Sequence, residues 1–415
     1  MKKTINGIFL GLISVAILGS LFKALFVPTD INEYENRYSV KLEAPMAETY
    51  LSGEFQDNTE AALADQVLFA IPAKQAYNKV SSSINKSILD KVLAYAEEKS
   101  KNEANEEESQ SPQRAIADPN AKYIQLPSGL LMLKDHLMYN TRFLDVEKPR
   151  LDPRIANINE TIAAFPDIDF YIYYIEKETD INFVSGERSN VYEYLFENID
   201  LPESQKNRFA ITNFEDYDSW FYKTDHHLNH RGALECYKQF LARMLPEETP
   251  LSPTGEYEIG YYSGSKAVGS DEGYQDINSC YSYDYVKVDT WENGNKVNYY
   301  GKQDSYINQS KSRSELFPSV SYGDLFGYDD GEVRFENPEK EGDSILFIGD
   351  SMDNTLLRLL AGHFPKLYDV DLRNYEAKMG EEFTLESYLA KHPDIKKVML
   401  IGTLDIFNSD QFELH

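Results

Sequence analysis

Three histidines and an aspartate lie close together in the stretch FYKTDHHLNHRGA, from Phe221 to Ala233, although the whole chain of 415 residues has only seven histidines. A second short motif, Gly349-Asp350-Ser351, directly follows the apolar run ILFI. A serine hydroxyl is a poor nucleophile by itself and requires a base, usually a histidine that a carboxylate orients. Together the two motifs contain the side-chain types of a nucleophilic triad.

Alternating strands and helices must position these motifs. Apolar runs predict strands at DIDFYIYYI (167–175), SILFI (344–348), KLYDV (366–370) and KKVMLIG (396–402), with helical patterns between them. This alternation favours an α/β fold with a parallel sheet and helices on both faces. Active sites of such sheets lie at the carboxyl ends of the strands, which is where Ser351 falls. Backbone N–H groups at the start of the following helix would favour an alkoxide and a developing oxyanion.

The histidine-rich stretch predicts the start of a helix, with Thr224 or Asp225 as its N-cap. On such a helix His226 and His230 would share one face, as in zinc sites, and Asp225 could be a third ligand. The chain has no H-E-x-x-H motif, however, and hydrogen-bonded histidines at a helix start are commoner than metal ligands. We therefore expect neither a metal ion nor another cofactor.

Both motifs resemble those of the DHHW family and the alginate O-acetyltransferases, which have an SGNH-hydrolase-like fold. GDS (349–351) is similar to the SGNH nucleophile block, and TDHHLNHRGA (224–233) to the Asp-x-His-Trp…Gly block. Weaker similarity lies in ENR (35–37), SGEF, DQ (65–66) and DVDLRNY. The Asp-x-His motif precedes the serine, which is the order of a permuted branch.

This resemblance implies a three-layer, flavodoxin-like α/β domain with Ser351 as nucleophile, His227 as base and Asp225 as the carboxylate that orients the base. It also implies an acyl-serine intermediate, from which the acyl group passes to a sugar hydroxyl or to water. His226 falls at the x position of the motif, and the sequence leaves open whether it, rather than His227, faces the serine.

Other candidates for substrate or oxyanion contacts are Gly349, Asp350, His226, Arg373 and Thr403. Arg373 could clamp an anionic substrate group or pair with one of its many acidic neighbours. Two positions depart from the family pattern: Leu228 replaces the tryptophan, and Leu404 replaces the oxyanion asparagine. A leucine side chain cannot donate a hydrogen bond, and losing one oxyanion donor typically costs about 10²–10³ in rate. The sequence therefore leaves open a slow or inactive protein.

The first 28 residues predict a signal anchor. Lys2 and Lys3 precede an apolar run from Ile5 to Phe22, near the ~20 residues that span a bilayer, and no clean cleavage site follows. We expect a single-pass protein of the cell membrane with an extracytoplasmic C-terminal domain, or a secreted protein if the signal is cleaved. Residues 29–120 predict a helical region with an acidic linker. Residues 121–415 predict the SGNH-like domain, with a β-rich insertion at about 255–300 that turns at Asn293-Gly294.

The charge balance narrows the range of partners. The chain has 41 basic and 69 acidic residues, a net charge of −28, so it repels phosphate backbones and is not expected to bind nucleic acid. Cys236 and Cys280 could pair outside the cytoplasm, but two cysteines alone do not decide this.

These features favour an O-acyltransferase, in the simplest case an acetyltransferase, that acts on a cell-surface polysaccharide. The resemblance also suggests a multispanning membrane partner that supplies the acyl group. A serine carbohydrate esterase or deacetylase, and a non-catalytic glycan-binding or assembly protein with the same fold, remain as alternatives.

Overall fold

The structure is a computed structural model that describes residues 122–126, 128–270, 274–298 and 300–409, with Leu414 and isolated positions among the first 62 residues. The chain divides into two units, Met1–Asp90 with Glu272–Tyr274, and Lys91–Asp271 with Gln275–His415. In the first unit, Ile31–Asn32 (β1) and Arg37–Tyr38 (β2) form an antiparallel pair.

The predicted anchor over residues 1–28 lies mostly outside the described residues, and the predicted linker over 101–120 lies wholly outside them. Among the helices of the described residues, none has both the length and the apolar character needed to span a bilayer.

The second unit holds all the other elements whose bounds the structure gives. Its strands are β3 (Ile124–Gln125), β4 (Leu131–Leu133), β5 (His136–Met138), β6 (Asp169–Ile175), β7 (Lys206–Phe209), β8 (Gly255–Tyr262), β9 (Asp276–Ser282), β10 (Asp289–Glu292), β11 (Asn295–Val297), β12 (Glu332–Glu336), β13 (Ser344–Ile348), β14 (Lys366–Val370) and β15 (Ile395–Gly402). Its helices are α1 (Leu144–Ala164), α2 (Val191–Asn198), α3 (Phe214–Trp220), α4 (His230–Met244), α5 (Ser265–Ser270), α6 (Gln303–Ser310), α7 (Tyr322–Phe326), α8 (Asn354–Leu360), α9 (Leu372–Met379), α10 (Leu385–Lys391) and α11 (Leu404–Asn408). Short 3₁₀ turns cover Glu178–Asp180, Glu203–Gln205 and Ala361–His363.

One large mixed sheet organises this unit, with the order β11-β10-β12-β14-β13-β15-β6-β7. The five strands from β14 to β7 are parallel, and β12, β10 and β11 continue the sheet antiparallel beyond β14. Counted from β13, the parallel strands follow the flavodoxin-like order 2-1-3-4-5, except that the last two strands come first in the chain. Ligands of such sheets bind at the switch point between the first and third strands, which is here the carboxyl end of β13 and β15.

Helices cover both faces of the sheet because the parallel strands are apolar on both sides. Along β13, Ile345 and Phe347 pack with side chains of α4 and α8, while Leu346 and Ile348 pack with side chains of α1, α2 and α10. All four strand residues are fully buried. The predicted three-layer α/β architecture is therefore confirmed.

The segment over 255–300 divides between two sheets. Strands β8 and β9 pair with each other and cover a separate apolar cluster that includes Ile259, Cys280 and Val320. Strands β10 and β11 join the large sheet through a tight turn at Asn293 and Gly294, both at positive φ (47° and 76°), as the Asn-Gly pair predicts. Cys236 and Cys280 are both buried and free, so they form no disulfide with each other.

Candidate active site

Ser351 lies in the turn that follows β13, at the carboxyl end of the parallel sheet. The turn is tight because Gly349 has no side chain: a Cβ there would lie 1.7 Å from Asp353 Oδ2. Asp350 Oδ1 accepts a hydrogen bond from Met352 N (3.0 Å), and Asp353 N donates to Asp350 O (3.1 Å). These bonds fix the turn on both sides of the serine, which remains 8% exposed.

The histidine-rich stretch is a loop between α3 and α4, and its predicted N-caps are wrong. Helix α4 begins at His230, and the Asn229 side chain caps it by accepting from Arg231 N (2.9 Å) and Gly232 N (3.0 Å). Thr224 and Asp225 have other hydrogen-bond partners instead. Thr224 donates to the buried carboxylate of Asp276, which also accepts from the backbone N–H groups of residues 223 and 224.

The structure brings Ser351, His227 and Asp225 together across 124 residues of sequence. Ser351 Oγ lies 2.8 Å from His227 Nε2, and His227 Nδ1 lies 3.1 Å from Asp225 Oδ2. With the ring proton on Nδ1, which donates to Asp225, the other nitrogen is free to accept the serine proton. This is the geometry of a nucleophile, a base and an orienting carboxylate.

Asp225 is almost fully buried, and several donors surround it. Its Oδ1 accepts from Ser265 Oγ (2.7 Å) and from His226 N (2.7 Å), while the Tyr262 hydroxyl donates to Oδ2. Burial alone would raise the pKa of Asp225, but the neighbouring His227 and His226 rings outweigh it and hold the pKa well below its usual range. Asp225 is therefore ionised at neutral pH.

His226 is held beside the triad, and His227 rather than His226 faces the serine. The His226 ring lies against His227, with centroids 4.0 Å apart and the planes tilted by 34°, and its Nδ1 lies 2.9 Å from Ser265 Oγ. Burial and then the field of His227 lower the pKa of His226 to about 4, so that it is neutral at pH 7.

Tyr322 contacts both His227 and the backbone of Ser351. Its ring lies flat against His227, with centroids 4.0 Å apart and an interplanar angle of 15°. Its hydroxyl donates to the Ser351 carbonyl at 2.6 Å. One buried side chain thus restricts the motion of both the imidazole and the nucleophile's backbone.

The segment after β15 lies beside the nucleophile turn, since β13 and β15 are neighbours. Leu404 is fully buried in the apolar cluster of α1 and α2, so this side chain does not serve the site. Thr403 Oγ1 accepts from Asp405 N (3.3 Å) as the N-cap of α11. Within the described residues, no hydrogen bond is recorded for the Ser351 backbone N–H, which leaves it as a donor for an oxyanion.

The remaining predicted contacts have partners of their own. Arg373 pairs with Asp371 and, at 3.2 Å, with Asp329, so its pairing with acidic neighbours is present in the structure. Burial raises the pKa of Asp350. Asp405 pairs with Lys177 (2.6 Å) and Arg142 (2.5 Å), which together overcome its burial and hold its pKa below the usual range.

The helical metal site considered above is wrong, because His226 precedes the helix that begins at His230. His230 Nε2 pairs with Glu256 Oε1 at 2.9 Å instead. Within the described residues, Asp225, His226 and His227 do offer ligand atoms within 4.8 Å of one another, but Asp225 and His227 are engaged in the triad and His226 Nδ1 lies 2.9 Å from Ser265 Oγ. A second such group consists of Asp135, His136 and Asp218. In this group Asp135 already forms an ion pair with Lys223.

Sequence reasoning missed Tyr262, Ser265 and Tyr322, which support Asp225 and His227. The only signal for the first two was their position in a tyrosine-rich insertion, which does not specify a contact. Gly264 was also missed: a Cβ there would lie 2.4 Å from Asp225 Cβ, so glycine allows the insertion to approach the loop.

Comparisons with known proteins agree with this fold. No protein-family model matches the chain, and no curated protein matches it. Among solved structures, PatB1 of Bacillus cereus with a sulfonyl adduct is 15% identical, with a TM-score of 0.51 over 71% of this chain and 99% of PatB1. A DHHW family protein of Eubacterium siraeum is 13% identical, with a TM-score of 0.49 over 70% of this chain and 96% of that protein. Pseudomonas aeruginosa AlgX is 13% identical, with a TM-score of 0.30 over 70% and 64%. The likeness to PatB1 supports a shared SGNH-like fold, as the motifs implied.

Proposed function

We propose that the protein is a serine O-acyltransferase that transfers acyl groups, in the simplest case acetyl groups, to hydroxyls of a cell-surface polysaccharide. The observation that carries the proposal is the hydrogen-bond chain from Ser351 Oγ to His227 Nε2 (2.8 Å) and from His227 Nδ1 to Asp225 Oδ2 (3.1 Å). The first 28 residues anchor the chain in the membrane, with the catalytic domain outside the cell.

In the first half-reaction, His227 Nε2 accepts the Ser351 hydroxyl proton while Oγ attacks the acyl carbonyl of a donor ester. The bond from the carbonyl carbon to the leaving oxygen breaks, and the imidazolium returns its proton to that oxygen. In the second half-reaction, an acceptor hydroxyl gives its proton to His227, and its oxygen forms the new ester bond. The serine oxygen leaves and recovers the proton. Asp225 stays ionised throughout because its pKa is low, and it stabilises the imidazolium.

The oxyanion of each tetrahedral intermediate requires donors other than a side chain at position 404. The Ser351 backbone N–H is one such donor, whereas the N–H groups of Met352 and Asp353 in the same turn already bind Asp350. Preorganised backbone donors act most strongly in a site shielded from water. Ser351 and His227, which are 8% and 4% exposed, meet that condition.

A sugar hydroxyl as acceptor rests on the motif resemblance to the alginate O-acetyltransferases. A multispanning membrane protein that delivers the acyl group to Ser351 belongs to the same proposal. If water replaces the sugar in the second half-reaction, the same residues hydrolyse the ester, and the protein is a carbohydrate esterase. The test below separates these outcomes.

The test is intact-mass spectrometry of the purified full-length chain in detergent, mixed with p-nitrophenyl acetate, beside a Ser351→Ala variant. Acyl-enzyme formation adds about 42 Da, one acetyl group, to the wild-type chain and not to the variant. Phenylmethylsulfonyl fluoride is a second probe, since one PatB1 structure holds a sulfonyl adduct.

Addition of an oligosaccharide then identifies the acceptor. Acetylated sugar supports acyl transfer, and free acetate alone supports the esterase. If neither reagent modifies Ser351 at any pH from 5 to 9, the proposal is wrong and the protein is a non-catalytic relative of the fold.

A further inference from the structure

Lys266 is a buried lysine outside the triad, and it forms an ion pair with the buried Glu178. The two side chains are 0% and 1% exposed, and Lys266 Nζ lies 2.6 Å from Glu178 Oε1. Removing two charges from water costs free energy, and a pair of apolar side chains of similar volume is often at least as stabilising. Stability alone therefore does not account for this ion pair.

Tyr217 contacts both members of the ion pair. Its hydroxyl donates a hydrogen bond to Glu178 Oε2 (3.1 Å) and accepts one from Lys266 Nζ (3.2 Å). The Tyr217 ring is also fully buried. Because each of the three polar groups contacts the other two, and because hydrogen bonds are directional, their relative positions are closely fixed. We call Lys266, Glu178 and Tyr217 the buried ion-pair cluster.

The buried ion-pair cluster joins three elements around the triad. Glu178 follows β6 at the carboxyl edge of the large sheet, Tyr217 lies on α3, and Lys266 lies on α5. Strand β6 neighbours β15, and β15 neighbours β13, the strand that precedes Ser351. The cluster therefore connects α5 to the sheet that carries the nucleophile.

Lys266 directly follows Ser265, whose hydroxyl donates to Asp225 Oδ1 at 2.7 Å. Ser265 is exposed, so packing around its own side chain does not fix its position. The next two residues are buried, and both donate backbone hydrogen bonds to the Thr224 carbonyl, Lys266 N at 3.0 Å and Ala267 N at 3.3 Å. The start of α5 is thus held beside Asp225 by these backbone bonds and by the Lys266 side chain.

The charges that act on Lys266 include the triad carboxylate. Burial lowers the pKa of Lys266, while the charges of Glu178 and Asp225 oppose this effect. Burial would raise the pKa of Glu178, but the charges of Lys266 and Lys177 outweigh it and lower that pKa. Glu178 is therefore ionised at neutral pH, and Asp225 is close enough to Lys266 to interact with its charge.

We propose that Lys266 is a positioning residue, whose ion pair with Glu178 holds the start of α5 where the Ser265 hydroxyl supports Asp225. Asp225 in turn orients His227 through the contact between Oδ2 and Nδ1. This inference rests on the proposed function, because it assigns a role in the same reaction. It also predicts a change in the His227–Asp225 hydrogen bond, which is measured without any activity.

The test must avoid a variant that fails to fold. Lys266→Met alone would leave Glu178 as a buried, unpaired charge, which is strongly destabilising. We therefore combine Lys266→Met with Glu178→Gln in the full-length chain in detergent, and call this double substitution the neutral-pair variant. It buries no charge at the two positions, and the amide oxygen at position 178 still accepts from the Tyr217 hydroxyl.

Three measurements compare the neutral-pair variant with the wild type: thermal unfolding, single-turnover acylation by p-nitrophenyl acetate, and the proton NMR signal of His227 Nδ1–H, recorded in the cold. We expect a melting temperature close to that of the wild type, but acylation about tenfold slower, the size of one lost hydrogen bond to a charged group. The NMR signal should move upfield, because the hydrogen bond from His227 to Asp225 is weakened.

The matched control combines Lys206→Met with Glu203→Gln. Lys206 has a side chain that is only 6% exposed and pairs with Glu203 at 3.4 Å, but it is the first residue of β7, at the opposite edge of the sheet from the triad. The control should leave both the acylation rate and the His227 signal unchanged. Equal effects in the control and the neutral-pair variant would mean that the loss is one of general stability, and would overturn the inference.

Ser265→Ala tests whether Lys266 acts through Ser265. If it does, the neutral-pair substitutions should slow acylation by less than about threefold in a chain that already carries Ser265→Ala, instead of about tenfold. Full additivity of the two effects would overturn this route. The same comparison applies to the NMR signal, which should change little further when Ser265→Ala is already present.

The outcomes are separate from those of the serine test. An unchanged His227 signal in the neutral-pair variant would overturn the positioning inference, even if Ser351 acylates in the wild type. If the wild type does not acylate, the proposed function is wrong, and an upfield signal in the neutral-pair variant but not in the control still supports the role of Lys266 in holding Asp225.

Discussion

The Tyr262 hydroxyl donates a hydrogen bond to Asp225 Oδ2, the same oxygen that lies 3.1 Å from His227 Nδ1. Tyr262 is the last residue of β8, and both residues are buried. The insertion between α4 and β12 therefore supplies part of the triad's support rather than only covering the domain. Because this hydrogen bond is accepted by a charged carboxylate, its loss should lower the rate of acylation.

Tyr262→Phe should slow acylation of Ser351 about tenfold or more. A hydrogen bond to a charged group contributes about 1.5–3 kcal/mol, and about 1.4 kcal/mol corresponds to a factor of ten in rate. Single-turnover release of p-nitrophenol measures the change. Tyr261→Phe is the matched control, since Tyr261 is the preceding residue and 43% exposed. Equal acylation rates in the two variants would mean that Asp225 does not depend on this bond.

Substitutions of the two adjacent histidines should differ sharply in their effect on the acylation of Ser351. His227→Ala removes the base and should abolish detectable acylation, whereas His226→Gln should retain it within about tenfold, because His226 Nδ1 faces Ser265 and not Ser351. Intact-mass spectrometry with p-nitrophenyl acetate compares them. If His226→Gln is the inactive variant, the roles of the two rings are reversed.

Asp225→Asn should lower the acylation rate by about 10⁴, as expected when the orienting carboxylate of a serine triad becomes an amide. The amide would place a donor or a neutral oxygen against His227 Nδ1, and so favour the wrong tautomer. The low pKa of Asp225 adds a pH test: in the wild-type chain, its protonation should not limit acylation between pH 5 and 9. A rate loss below tenfold in the variant would argue against a triad.

How far the sequence predicts the site depends on the kind of contact. Ser351 could be found because it follows a buried strand, and Asp225 with His227 because their spacing is local. The N-cap was misplaced because both Thr224 and Asp225 are good capping residues, and only tertiary contacts show that their side chains are engaged elsewhere. Tyr322 lies far from the triad in sequence, and its stacking on His227 leaves no periodic signal.

The same distinction applies to the fold. Four of the five parallel strands, β6, β13, β14 and β15, could be predicted because each is a largely apolar run, whereas β7 (Lys206–Phe209) is mostly polar and was not predicted. The turn at Asn293 and Gly294 could be predicted because both residues tolerate positive φ. The division of the insertion between two sheets could not be predicted. Strands β10 and β12 pair across more than 35 residues of sequence, and such pairing depends on packing rather than on local pattern.

Asp353→Asn should stabilise the protein increasingly as pH rises from 5 to 8. Asp353 and Asp369 are both buried, and burial raises both pKa values well above the usual range. The charge of Asp369 adds to this effect at Asp353, and the charge of Asp371 adds to it at Asp369. The folded chain therefore keeps a proton that the unfolded chain loses near pH 4. The stability from this protonated pair is fully present below that pH and is lost as pH rises through the raised folded pKa.

Thermal unfolding of Asp353→Asn and the wild type at pH 5, 6.5 and 8 measures this effect. Each unit of pKa shift corresponds to about 1.4 kcal/mol, so the difference in unfolding free energy should grow with pH in favour of the variant. Asp167→Asn, at an exposed position, is the control and should show no such trend. A constant difference at all three pH values would mean that Asp353 is ionised in the folded protein.

Leu404→Asn should destabilise the protein without raising its activity, even though asparagine is the residue that SGNH enzymes use at this position. Leu404 is fully buried in an apolar cluster, so the change should cost at least the roughly 2–5 kcal/mol of a buried Leu→Ala substitution. It would also bury an amide without partners. Leu404→Met, which preserves volume and polarity, should cost less than about 1.5 kcal/mol and is the matched control. Melting temperatures and single-turnover acylation rates compare the two variants. A faster acylation in Leu404→Asn would show that the side chain at 404 reaches the reacting carbonyl, and the Ser351 backbone N–H would then not be the principal oxyanion donor.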